Sequence, residues 1–293
     1  MRSYMSTEAI VDQDLESKEQ IRGDLQERIE SDSLDLPLLP QVANQVMTLS
    51  QDPDADAAKL SSLIHQDQAL AGQILRIANS PAYMPRSTIV SLQQAVSWLG
   101  MKMLADLALM VSFQNGVFRV EGYDPEIKVM WKHALATALY GKEIARMKRH
   151  NVENAFLCGL LHTMGKPVVL HTVVDIQKKY GVTLSWDIMN TFLTDLHVQV
   201  GVKLATSWEL PAQVIESIMY YANYSQAPST NKTAMATCLA DYLASSLLGQ
   251  TAQDEEVLRS LPVIQDLNLY PEDVTALLEQ GPTILQTVDS MAV

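Results

Sequence analysis

The octapeptide Gly159-Leu-Leu-His-Thr-Met-Gly-Lys166 raises the sharpest chemical question in this chain. An imidazole at a helix end, followed by a carboxylate, would present two donors to a divalent ion. Here His162 is followed by Thr163, whose hydroxyl carries no charge and is a weak ligand for a hard cation. Gly165-Lys166 lacks the glycine-rich loop of a nucleotide cradle, and the expectation is a helix closed there by a left-handed glycine. Cys158 lies one helical turn before His162, and Cys238 lies three residues before Asp241, so both thiols could face one cavity. They lack the spacing of a zinc knuckle and form no disulfide framework, so small buried hydrophobes are their default role.

The elements that must position these groups read as helices. Apolar residues recur at helical spacing in Val42, Val46 and Leu49 and again in Leu60, Leu63 and Ile64. Period-two alternation never persists, so the fold class is all-α. Pro37 and Pro40 precede one helix, Asp52-Pro53-Asp54 ends it, and Ser91 with Gln94 forms a capping box for another. Pro211 interrupts a helix that ends near Trp208. Pro271, with Glu272 and Asp273, begins a helix that Gly281 and Pro282 are expected to stop.

Composition narrows the classes of function. At 293 residues and 47% apolar content the chain can fill a large core. Its formal charge of −13, with lysine and arginine scattered, disfavours direct nucleic-acid binding. Nowhere do eighteen uncharged apolar residues run together, and the start of the chain has no signal-like apolar core, so a cytoplasmic protein without a membrane role is expected.

Residues 36 to 110 carry a resemblance to the amino-terminal half of the bacterial HDOD domain. It rests on Leu36-Pro-Leu-Leu-Pro40, the turn from Gln66 through Asp67 to Leu70, Leu75-Arg-Ile-Ala-Asn-Ser80, and Leu99-Gly100 in that order. The resemblance continues through Trp131-Lys-His133, the octapeptide above, and Trp208-Glu-Leu-Pro211. It implies three regions: a charged arm or helix over 1–32, an HDOD domain over 33–250, and a helical tail over 251–293. The domain would divide into halves at 33–120 and 121–250, the second related to the HD metal phosphohydrolases. The arm carries a thin apolar spacing of Leu15, Ile21, Leu25 and Ile29, which fits either a docked amphipathic helix or a loose segment.

In a working HD site, histidines and aspartates from several helices surround one or two metal ions, which acidify a water for attack on a phosphoester. By position, His133 resembles the first ligand, His162 the second, His197 a later histidine and Asp241 the closing aspartate. Thr163 stands where the bridging aspartate would be, and Tyr220-Tyr221 stands where a pair of histidines would extend the set. Phenols stay protonated at neutral pH and bind hard ions poorly. The alternative for His133 and His162 is that of core histidines bonded to a carbonyl or carboxylate, with Asp241 as partner.

The resemblance therefore implies a regulatory module with a degenerate metal site, no resident cofactor, a signalling protein as partner, and self-association left open. The competing readings are a phosphohydrolase with unusual ligands and a nucleotide sensor that reuses the old cavity. The loop Ser80–Thr88 offers a contact surface through Tyr83, Met84 and Arg86, unless Tyr83 and Met84 instead seal the core.

Overall fold

A computed structural model of the chain describes residues 7–291 apart from 53, 84, 113–117, 229–231 and 252–254, with side chains from residue 17 onward except at 51. Pro53, Met84 and the Leu15 side chain lie outside the described residues. Among those described there is no strand.

The chain begins with α1 (Thr7–Glu30), α2 (Gln41–Gln51), α3 (Ala57–Ile64), α4 (Gln68–Ala78), α5 (Leu92–Leu99) and α6 (Met101–Ser112). Short polar side chains open several of them by accepting orphan backbone N–H groups. Asp56 caps α3 through Lys59 N–H at 2.6 Å, and Asp67 caps α4 through Leu70 N–H at 3.0 Å. Ser91 caps α5 through Gln94 N–H at 3.2 Å. The Gln94 side chain accepts from Val90 N–H at 2.9 Å, one residue before the cap, so the expected capping box is closed in a shifted form.

Helix α1 is docked. Ile21, Leu25 and Ile29 are buried against α9 (Gly165–Tyr180) and α10 (Trp186–Ser207). Asp24 locks the packing by accepting from Arg28, from Lys179 at 2.7 Å and from Tyr180 at 2.9 Å. Burial opposes its ionisation, yet these three donors hold its carboxyl down at about 2. Arg22 adds an exposed ion pair with Asp195, and Trp208 donates its indole N–H to Pro37 O at 2.8 Å, tying the proline segment to the end of α10.

The second half is built on α7 (Asp124–Met147), α8 (Val152–Leu161), α9 (Gly165–Tyr180), α10 (Trp186–Ser207), α11 (Ala212–Tyr220), a 3-10 turn at Tyr221–Gln226, and α12 (Lys232–Leu247). Helix α7 is the spine: α8 and α12 pack along it, α9 packs on α10, and α6 meets α8. The run Val152–Tyr180 is long and apolar enough to cross a membrane, but 89% of its apolar window is buried inside the fold, where it forms α8 and α9. Four shorter helices follow: α13 (Glu255–Arg259), α14 (Pro262–Asp266), α15 (Pro271–Glu279) and α16 (Gly281–Met291). Gly281-Pro282 does not stop α15, which already ends at Glu279; it opens α16, where a proline in the first turn has no N–H to lose.

The Ser80–Thr88 loop is pinned from both sides. Asn79 donates its side-chain amide to Leu75 O and to Ile89 O, and it accepts from Ile89 N–H at 2.8 Å. Tyr83 is buried beneath this clamp, with its hydroxyl 3.6 Å from Met103 Sδ and its ring 4.3 Å from Lys142 Nζ. It therefore takes the core-sealing alternative, whereas Arg86 is exposed.

Candidate functional site

Two glycines let the site assemble. A Cβ on Gly159 would lie 2.7 Å from Ala138 Cα, so its absence allows α8 to press onto α7 and brings His162 beside His133. A Cβ on Gly165 would lie 2.0 Å from His197 O and 2.7 Å from Gly201 N, so glycine here allows the close crossing of α9 and α10. This corrects the expectation of a left-handed glycine ending a helix: Gly165 begins α9, and its φ is not positive. Lys166 accordingly belongs to the first turn of α9 and lines the same cleft as His133.

His133 on α7, His162 at the end of α8 and Asp241 on α12 converge. Asp241 Oδ1 lies 2.8 Å from His133 Nε2 and 3.1 Å from His162 Nε2. The three donor atoms all lie within 4.8 Å of one another, and this is the sole such group of three among the described residues. His162 Nδ1 is 2.6 Å from Gly159 O, which can only accept, so that nitrogen carries a hydrogen. Burial lowers the His162 pKa against the pull of Asp241, whose Oδ1 faces Nε2. Such an approach is attractive only when a proton or cation lies between the two atoms. Although burial pushes Asp241 toward protonation, the bonds to His133 and His162 win and hold its carboxyl far below the usual range.

His197 does not join this group. Its Nδ1 donates to Thr194 O at 3.0 Å and its Nε2 lies 2.8 Å from the Tyr221 hydroxyl. Burial first, then the charge of Lys166, lowers its pKa to about 4. The Tyr221 phenol is raised by burial and by Asp241, so it stays protonated and donates to His197. Its ring also stands edge-on to His162 at 4.8 Å. Tyr220 is the last residue of α11 and is half-buried.

Thr163 is buried and lines the cleft of ≈ 580 Å³ that also includes His133 and Lys166. Its hydroxyl makes no hydrogen bond to the triad among the described residues. Cys158 is buried with its thiol pushed up to about 12 and its sulfur 3.9 Å from Gln213 O, and neither cysteine enters the three-donor group.

A metal pair does not fit these residues. Thr163 offers only a neutral hydroxyl beside His162, and His197 is held by Tyr221, which leaves three donors for at most one ion. The contribution of Lys166 was not legible in the sequence. Its spacing from His162 is that of a helix end, and only the crossing at Gly165 turns it inward. Burial lowers its pKa, while Asp241 opposes that shift.

The sequence profile of the HDOD domain matches residues 36–224 of this chain. An uncharacterized protein of Treponema pallidum (strain Nichols) is 26% identical over 238 residues, covering 78% of this chain and 45% of that protein, so the chain spans about half the length of the curated relative it matches. A crystal structure from Shewanella amazonensis SB2B, provisionally named a metal-dependent phosphohydrolase, is 20% identical with a TM-score of 0.76, covering 93% of this chain and 99% of that one. Another from Marinobacter aquaeolei VT8, provisionally named a signal transduction protein, is 23% identical with a TM-score of 0.67, covering 94% of this chain and 66% of that one. At these identities the structures speak for the fold, and the profile match over most of the chain decides the family: this chain belongs to the HDOD domain family.

Proposed function

We propose that this chain is a non-catalytic regulatory module of bacterial signalling that works in the cytoplasm through protein contacts, with a degenerate HD-type metal site. The observation that carries this reading is the pairing of His197 with Tyr221 beside a threonine at the bridging position, which leaves one group of three donors where hydrolysis of a phosphoester by a metal pair needs more. Membership of the HDOD family supports the regulatory part.

The closeness of His133, His162 and Asp241 favours one competing reading, a phosphohydrolase that works with a single ion and unusual ligands. Elemental analysis of protein purified without chelator, together with hydrolysis assays on an aryl phosphodiester in manganese, iron and magnesium, separates the two. The expected result is less than one equivalent of metal and no turnover. Metal-dependent turnover that disappears in His162→Ala overturns the proposal.

A further inference from the structure

A second pocket, of ≈ 290 Å³, lies between α7 and the end of α8 and shares Met130 and Thr163 with the cleft beside His133. Most of its wall is apolar: Ile127, Trp131 and Ala134 from α7 face Leu160 and Met164 from the end of α8 and the turn beyond it. The volume is roughly twice that of the ~150 Å³ apolar cavity known to hold a benzene molecule, which suits an aliphatic body of about eight to ten carbons.

Two cations and one carboxylate line the mouth. Arg119 and Lys128 both line it, both are exposed, and neither makes an ion pair among the described residues. On a chain of formal charge −13, two cations against one carboxylate leave this rim net positive, which favours an anionic head group. Asp124 also lines the pocket, but it sits in the first turn of α7, where a carboxylate is favoured by the helix N-terminus.

We propose that this pocket binds a small amphipathic anion, a medium-chain carboxylate, with the chain in the apolar cavity and the carboxylate at Arg119 and Lys128. Thr163 and Met164 form part of the wall, so a bound chain touches the same turn that carries His162. The inference stands apart from the absence of catalysis and holds whether or not an ion binds at His133, His162 and Asp241.

Isothermal titration of the full chain with octanoate and decanoate, each below its micellar concentration, and with 1-octanol as the neutral comparison, tests it. The expected result is saturable 1:1 binding, with decanoate about tenfold tighter than octanoate because two more methylenes leave water. Arg119→Gln with Lys128→Gln alters two exposed side chains and is expected to weaken decanoate at least about fivefold while leaving 1-octanol unchanged. Ala134→Leu, which fills the cavity, should abolish both; should that variant fail to fold, the charge variant decides. No saturable binding of decanoate, affinity independent of chain length, or decanoate binding unaffected by the charge variant overturns the proposal.

Discussion

His197 Nε2 and the Tyr221 hydroxyl are 2.8 Å apart, and the bond between them has one polarity. Thr194 O takes the proton of Nδ1, so a neutral His197 can only accept from the phenol. Tyr221→Phe therefore leaves a buried acceptor without its donor. The expected cost is about 1–3 kcal/mol in urea unfolding, with the three-donor group unaltered. A loss below a few tenths of a kcal/mol would mean that water replaces the phenol.

Acid should weaken the fold through the same residue. The fold favours neutral His197, lowering its pKa from 6.5 to about 4, so between these values the folded chain binds fewer protons than the unfolded one. The stability this contributes is complete above pH 6.5 and is lost as pH falls toward 4, on the order of 3 kcal/mol. His162 is shifted in the same direction. Urea unfolding at pH 7 and pH 4.5 should show the decline, and His197→Gln should show a shallower one; equal slopes in parent and variant would remove His197 as its source.

Two glycine substitutions should have opposite signs. Gly165→Ala places a methyl 2.0 Å from His197 O, a backbone atom that cannot yield without separating α9 from α10. A loss of about 3 kcal/mol or more is expected. Gly72 lies inside α4, exposed, with nothing within 4 Å of the position an alanine methyl would take, so Gly72→Ala should be neutral or stabilising by up to about 1 kcal/mol. Thermal melts of both variants check the pair, and an unchanged melting temperature for Gly165→Ala would contradict the close crossing.

Adding one carboxylate should not create hydrolysis. Thr163→Asp would supply a negative charge beside His162, but His197 remains bonded to Tyr221 and a second ion still lacks ligands. Catalytic geometry tolerates about 0.5 Å of looseness, which a single replacement does not meet. The expected activity on an aryl phosphodiester is that of the parent. Manganese-dependent turnover in Thr163→Asp alone would count against the argument.

Helical periodicity, the caps at Asp56, Asp67 and Ser91, and the break at Pro211 were readable from the sequence because each depends on residues within a few positions of one another. Motif order likewise sufficed to identify the family. The docking of α1 was not decided there, since Ile21, Leu25 and Ile29 give the same spacing in a docked or a loose helix, and only contact with α9 and α10 tells them apart. Gly165 shows the same limit more sharply. A glycine before lysine at the end of an apolar run is locally a helix stop, and it becomes a helix start only because His197 O and Gly201 N arrive from α10. The gathering of His133, His162 and Asp241, the diversion of His197 to Tyr221, and the burial of Tyr83 against Met103 and Lys142 all depend on residues from different helices. Sequence determines which donors the chain owns, whereas helix crossing angles and the close approaches that glycine permits decide which of them meet.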